Sequence, residues 1–313
     1  QTEILRQVDI EIGRGDFTGL VGESGSGKSL TALAIMGLLP NGCRVLSGQV
    51  SLAGRDILNL PATQLTALRG GEIAMVFQEP MTALNPVLEV GYQIAETVRA
   101  HRGCDWRAAS REAERLADQV AIPAAADRLH DYPHQLSGGQ RQRIMIAMAL
   151  AGEPDLLIAD EPTSALDVTV QMQILQLLEA LRTDLGLTIL LITHDLGVVA
   201  ETCNRVLVMY GGEIVERADT VDCFASPGHP YTRALLKVLP ASDGRSAGGE
   251  LPTLPGDPPS YSDLPTGCVF HPRCAESIEG CATDVPPDVV IGPGRAARCW
   301  IHDDASRATG NRE

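Results

Sequence analysis

The stretch GESGSGKS, Gly22 to Ser29, constrains this chain more than any other. It fits the pattern G-x-x-x-x-G-K-[ST], and its flanks are those the pattern needs: FTGLV, Phe17–Val21, reads as a short buried strand, and Lys28–Leu39 reads as a helix. Such a loop binds phosphate. Bare glycines let backbone N–H groups wrap an anion, and the helix that follows adds its positive dipole end. Gly22, Ser24, Gly25, Ser26 and Gly27 would form the cradle. Lys28 would reach the β- and γ-phosphates of a nucleoside triphosphate, and Ser29 would ligate Mg2+. The bland alternative is a glycine-rich turn with a chance lysine, which the flanking strand and helix disfavour.

Alternation of strand and helix continues beyond the loop. Glu72–Phe77, Leu156–Asp160, Thr188–Thr193 and Arg205–Met209 are short apolar runs bounded by turn or polar residues, as buried parallel strands are. Val87–His101, Trp106–Ala121 and Val168–Thr183 have helical spacing. The pattern implies an α/β fold, a mostly parallel sheet with helices on its faces. LLIADEP puts Asp160 at the C-terminal end of a buried strand, where such sheets bind ligands. Asp160 would hold Mg2+, and Glu161 would polarise the attacking water as general base. Read alone, the pair could be a strand-end turn with two solvated carboxylates.

Four more segments complete the set: Gln78 in VFQEP, LSGGQ at 136–140, SALD ending at Asp167, and His194 in LLITHD. Each has an ordinary reading. Ser137 could be the N-cap of the apolar helix behind it, SALD another cap, Gln78 a surface residue and His194 a hydrogen-bonded structural residue. Together, in this order, they resemble the ATP-binding cassette (ABC) family over about Val8 to Glu216. The resemblance implies a P-loop NTPase fold with an antiparallel edge and a helical subdomain at about 87–151. It implies hydrolysis of ATP with Mg2+ in a head-to-tail dimer that sandwiches two ATPs. By that resemblance Gln78 contacts Mg2+ and the attacking water and relays nucleotide state to a channel. His194 contacts the γ-phosphate, Asp167 reaches across the dimer, and Ser137, Gly138, Gly139 and Gln140 serve the partner's nucleotide. The family's adenine-stacking aromatic would fall at or just before Gln1, and Gln1–Asp16 holds no aromatic residue.

Only 58 positions separate Gln78 from Leu136, too few for the coiled coil of repair-type cassettes, and the chain has one cassette where translation-type members have two. A net charge of -15 disfavours nucleic acid as a partner. No apolar run approaches the roughly 20 residues that cross a bilayer, so a channel would be separate polypeptides. The start, Gln1–Asp16, alternates like a strand and lacks a signal peptide's pattern. The chain begins at Gln1 rather than Met, which leaves room for residues before it.

EPMTALNPVLEVGYQIAE, Glu79 to Glu96, resembles the segment that receives the channel's coupling helix in importers for peptides and nickel. HPYTRALLKVLP and LPGDPPSYSDLPTGCVFHPRC resemble the C-terminal extension of oligopeptide- and dipeptide-importer ATPases. The resulting expectation is a cassette at 1–221 and an extension at 222–313, with a linker at Ser242–Pro265, a cysteine module at 267–302 and a disordered polar end. The protein would be the motor subunit of a peptide importer, peripheral at the cytoplasmic face of a bacterial inner membrane. Its partners would be a sister or identical ATPase, two transmembrane permease subunits and, indirectly, an external substrate-binding protein. Nickel, glutathione or another solute as cargo, or a soluble non-transport ATPase, are the alternatives.

Four of the eight cysteines crowd the extension: Cys268, Cys274, Cys281 and Cys299, spaced C-x5-C, x6-C, x17-C. Structural zinc usually shows a tight C-x2–4-C knuckle, which is absent, whereas a cubane iron–sulfur cluster needs thiolates that only converge in space. Some members of the resembled family hold a [4Fe–4S] cluster in this extension. Zinc, with His271 or His302 as substitute ligands, and free thiols or disulfides stay open. Cys43, Cys104, Cys203 and Cys223 read as packing residues.

Overall fold

The computed structural model describes residues 2–238 and 254–303. Its strands in chain order are β1 Phe17–Val21, β2 Ser51–Leu52, β3 Arg55–Asp56, β4 Ile73–Val76, β5 Leu156–Asp160, β6 Thr188–Thr193, β7 Arg205–Tyr210, β8 Glu213–Asp219, β9 Asp288–Gly292 and β10 Arg295–Arg298. The chain builds two compact units, one from residues 13–17 and 32–192, the other from the described parts of 1–12, 18–31 and 193–313.

In the first unit β4, β5 and β6 run parallel, with Ile73 opposite Leu156 and Leu156 opposite Thr188. Every residue of β6 is buried, which is why its sequence, TILLIT, does not alternate. Four long helices accompany these strands: Val90–Arg102, Trp106–Gln119, Gly138–Leu150 and Val168–Leu185. Trp106–Gln119 buries Ala109, Ala113, Leu116 and Ala117, a single stripe at helical spacing. Asp105 starts that helix by accepting from the Ala108 N–H at 2.8 Å. Val168–Leu185 stops at Gly186, whose φ of 67° only glycine adopts cheaply.

In the second unit β1 is parallel to β7, β7 antiparallel to β8, and β8 antiparallel to β10, which pairs with β9. The parallel pair and the antiparallel edge are those expected of the fold. The cysteine-bearing segment contributes the hairpin β9–β10 to this sheet, through Ala296 opposite Arg217 and Ala297 opposite Glu216.

Three expectations need correction. The helix opened by Lys28 ends at Ile35, not Leu39, because the Leu38 N–H bonds back to Leu33 O while Gly37 takes φ 63°. The alternating start, Gln1–Asp16, forms no strand among its described residues: Gln7 sits at φ 46°, and its side-chain amide oxygen accepts from Arg298 at 2.6 Å. Strands β8, β9 and β10 were not legible as strands. The helix read in HPYTRALLKVLP is present as Pro230–Val238. Ser242 to Thr253 of the expected linker, and the polar end from Asp304, lie outside the described residues.

Candidate functional site

The phosphate loop is built at the end of β1. All five residues of that strand are buried, and the chain turns at Gly22, where a Cβ would stand 2.1 Å from the Met209 carbonyl oxygen. No larger residue fits. Gly25 and Gly27 have φ of 78° and 109°, the region glycine favours. Ser24 and Ser29 are exposed. Lys28 is only 5% exposed, and its ammonium donates to Gly22 O at 2.8 Å and Glu23 O at 3.0 Å. Ser26 is 4% exposed, and its buried hydroxyl meets no hydrogen-bond partner among the described residues. Leaving such a group unsatisfied costs about 1–3 kcal/mol, which an oxyanion ligand would recover. His194 stands exposed just after β6. Its neighbour Asp195 caps the helix Leu196–Thr202 by accepting from Gly197 N–H at 2.8 Å.

The carboxylate pair lies in the unit that holds β4, β5 and β6. Asp160 closes β5 and is buried. Glu161 follows with φ 45°, an uncommon posture for a non-glycine residue, and its N–H donates to Ile192 O at 2.9 Å. Gln78, just beyond β4, donates its amide to Glu161 Oε2 at 3.1 Å. Two residues 83 positions apart in sequence are thus in hydrogen-bond contact. A carboxylate steadied by an amide donor is suited to polarising a water molecule.

The LSGGQ segment starts the helix Gly138–Leu150 with a capping box. Ser137 Oγ accepts from Gln140 N–H at 3.3 Å, and Gln140 Oε1 accepts from Ser137 N–H at 2.9 Å. Asp167 caps the next long helix by accepting from Val170 N–H at 3.0 Å. Both capping readings are therefore geometrically real. The two segments also touch: a Cβ on Gly139 would stand 2.5 Å from Val170 Cγ1, and one on Gly138 3.2 Å from Leu166 Cδ2. The glycines give the SALD segment room to pack against the start of the LSGGQ helix.

All eight cysteines of the chain are free thiols, the four of the cysteine module included, so no disulfide closes that module. Cys268, Cys281 and Cys299 are buried and Cys274 is half-buried. Burial pushes the Cys268 thiol up to about 12 and Cys299 to about 11, and raises Cys274; neighbouring thiols of the set add to each rise. Backbone N–H groups of Phe270, Glu276 and Ile301 oppose the rise at Cys268, Cys274 and Cys299 respectively. Among the described residues no group of three or more His, Cys, Asp and Glu side chains is gathered to hold a single metal ion. His271 lies 2.9 Å from Cys268 O through Nδ1, and His302 lies 2.9 Å from Gly228 O through Nε2, each contact using one of the two ring nitrogens.

Sequence reasoning missed Tyr231, Tyr261 and Arg273, which bond the phosphate loop at Glu23 and Gly25. No local signal could have found them; Arg273 and Glu23 are 250 positions apart.

The ABC transporter family model matches residues 5–164, and the model for the oligopeptide/dipeptide transporter C-terminal region matches 215–281. The chain is 48% identical over 296 residues to the oligopeptide transport ATP-binding protein OppD of Salmonella typhimurium, covering 95% of this chain and 87% of that protein. It is 45% identical over 298 residues to AppD of Bacillus subtilis, also an oligopeptide transport ATP-binding protein, covering 95% and 90%. Among solved structures it is similar to a dimeric ATP-binding cassette in a post-hydrolysis state bound to ADP and Pi, with TM-score 0.62 and 30% identity over 69% of this chain and 90% of that one. It is also similar to cbiO1 of Clostridium perfringens, part of the transporter complex cbiONQ, with TM-score 0.63 and 28% identity over 71% and 84%.

Proposed function

The chain belongs to the ATP-binding cassette (ABC) transporter family of ATPases, and from that premise we propose that it is the ATP-hydrolysing subunit of an oligopeptide or dipeptide importer. The observation that carries the cargo is that likeness to oligopeptide ATPases runs through the extension, residues 215–281, and not only through the cassette. The cassette spans about 1–221 and the extension 222–313. No helix among the described residues is long and apolar enough to cross a membrane. The chain works at the cytoplasmic face of a bacterial inner membrane, beneath two permease subunits. It pairs head-to-tail with a second ATPase subunit, and an external binding protein delivers the peptide.

Each residue has a defined task in this reading. Gly22, Ser24, Gly25, Ser26, Gly27 and Lys28 hold the triphosphate of ATP; the orphaned Ser26 hydroxyl supports this. Ser29, Gln78 and Asp160 are oxygen donors that suit Mg2+, a hard cation, which neutralises phosphate charge when bound. Glu161 takes a proton from the attacking water, steadied by Gln78. His194 orients that water. Ser137, Gly138, Gly139 and Gln140 close on the partner's nucleotide, with Asp167 beside them. Closure moves the segment after Gln78, and with it the channel.

For the four extension thiols the reading is a [4Fe–4S] cluster rather than zinc. The four thiols lack the tight knuckle that structural zinc usually shows, and a cubane's thiolates need only converge in space; among the described residues no metal-binding group is gathered for either. Cys268, Cys281 and Cys299 are buried and no disulfide joins the four thiols, which leaves them available to such a group. Anaerobic purification with iron, sulfide and zinc analysis tests it: about four irons and four sulfides per chain are expected, and zinc or no metal refutes it.

The transport reading is tested in vesicles carrying the chain with its sister ATPase, permeases and binding protein. ATP-dependent uptake of labelled peptide is the expected result. ATP hydrolysis that no peptide-loaded binding protein stimulates, but a nickel-loaded one does, would transfer the chain to metal import.

A further inference from the structure

The cysteine extension reaches the phosphate loop through one arginine. Arg273 sits in the short turn His271–Arg273, directly before Cys274. Its Nη1 and Nη2 donate to the two carboxylate oxygens of Glu23 at 2.6 and 3.0 Å, a forked ion pair. Its Nε donates to Pro255 O at 2.8 Å, and Nη1 also reaches Tyr210 Oη at 3.2 Å. The guanidinium lies 5.7 Å from the centroid of the Tyr210 ring. Tyr210, Tyr231 and Phe270 pack together beneath it, with centroids 4.6 to 5.3 Å apart. The side chain is 5% exposed. All three guanidinium nitrogens are committed and the support is rigid.

What this arginine holds is the second residue of GESGSGKS. The Glu23 N–H donates to Tyr231 Oη at 2.9 Å, and the Glu23 carbonyl receives the Lys28 ammonium at 3.0 Å. Two positions on, Tyr261 donates its hydroxyl to Gly25 O at 2.8 Å. The extension therefore fixes the side chain and amide of Glu23 and the carbonyl of Gly25, while Lys28 rests on the carbonyl of Glu23. We propose that Arg273 is a positioning residue for the phosphate-binding loop, acting through Glu23 to set the loop shape that MgATP meets. Glycines at 22, 25 and 27 make this loop intrinsically pliable. A pliable cradle must be ordered at the moment of binding, and that cost is removed in advance by a rigid external hold. Arg273 spends its donors on Glu23, Pro255 and Tyr210, so it acts on the loop through Glu23. Its loss weakens ground state and transition state alike, raising KM while leaving kcat nearly intact.

The inference rests on the nucleotide reading of the loop. The full chain is titrated with MgATP by calorimetry, its hydrolysis kinetics are measured, and its melting is followed on the same samples. Arg273→Gln and Glu23→Gln should each raise Kd and KM about tenfold, equivalent to ~1.4 kcal/mol, with kcat changed less than about twofold. The double variant should be no worse than either single one, because one interaction is removed in each case. Arg273→Lys keeps the charge but loses the fork and should fall between. Unchanged Kd and KM, or additive losses in the double variant, overturn the proposal and leave Arg273 a prop for the extension. If Arg273→Gln fails to fold, Glu23→Gln and Arg273→Lys decide by the same criteria. Lys28→Ala separates the two layers of argument: a wild-type chain that binds MgATP no better than Lys28→Ala would sink the nucleotide reading itself, and this inference with it.

Discussion

Replacing Gly139 by alanine sets two effects of opposite sign against each other. In a helix, Gly→Ala usually stabilises by about 0.5–1 kcal/mol. Here the new Cβ would lie 2.5 Å from Val170 Cγ1, about 1 Å inside the ~3.5 Å at which carbon atoms normally rest. Val170 cannot swing aside cheaply, because a β-branched side chain at the head of a helix has few χ1 choices. Overpacking of this kind costs about 1–3 kcal/mol, so Gly139→Ala should destabilise the chain by about 1 kcal/mol. That corresponds to a fall of about 1–3 °C in melting temperature. ATP hydrolysis should fall further, because the clash pries the LSGGQ helix away from SALD. In a Val170→Ala background the obstruction is gone, and Gly139→Ala should stabilise by about 0.5–1 kcal/mol as in any helix. Melting curves and hydrolysis rates for the four members of this cycle make the assay. A Gly139→Ala chain that melts higher than wild type, or a strictly additive cycle, would show that the Gly139–Val170 approach does not govern this glycine.

Three other predictions bear on the site and the extension. Glu161→Gln should keep MgATP binding and trap a closed dimer while lowering turnover by about 10²–10⁴; unchanged steady-state hydrolysis would remove Glu161 from the role of base. Ser137→Arg should block hydrolysis at the partner's nucleotide with own-site ATP affinity intact, as calorimetry can check; collapse of own-site affinity would end the cross-dimer reading. His229, fully enclosed, is pushed down to about 3, chiefly by burial and then by Arg233. It folds neutral, so its contribution is complete above the unfolded value near 6.5 and is lost as pH falls from there toward 3. Melting temperature measured against pH should drop across that window in wild type and drop less in a folded His229→Gln variant; parallel curves would refute the assignment.

The legible parts of this protein were those fixed by local chemistry. Phe17–Val21, Leu156–Asp160 and Thr188–Thr193 match their strands residue for residue, because a strand buried on both faces must be apolar throughout. GESGSGKS could be read because only glycine tolerates the Met209 carbonyl beside Gly22. β8 was missed because EIVERAD mixes charge into a strand whose polar groups find partners far away. Glu216, for instance, is buried yet accepts the N–H groups of Gly228 and His229 at 2.6 and 2.8 Å. β9 and β10 owe their place to pairing with β8, which no local pattern announces. The Gln1–Asp16 alternation misled because one left-handed residue, Gln7, outweighs a two-residue period. That Gln78 and Glu161 serve one water was implied by the resemblance, but their direct hydrogen bond was not, and the hold of Arg273 on Glu23 depends on tertiary folding alone.

The cap at Ser137 limits what can replace it. Its oxygen accepts the Gln140 N–H, which uses a lone pair and leaves the hydroxyl proton for an acceptor outside the helix. Aspartate or asparagine at 137 would satisfy the helix equally well but would present a negative charge or a differently placed amide to an incoming phosphate. Alanine would forfeit both. Threonine alone among the good caps preserves an oxygen that can accept and donate at once. On the proposed reading of Ser137, the head of this helix tolerates a far narrower alphabet than its fold requires, and the gap between the two alphabets measures how much of the position is owed to the ligand.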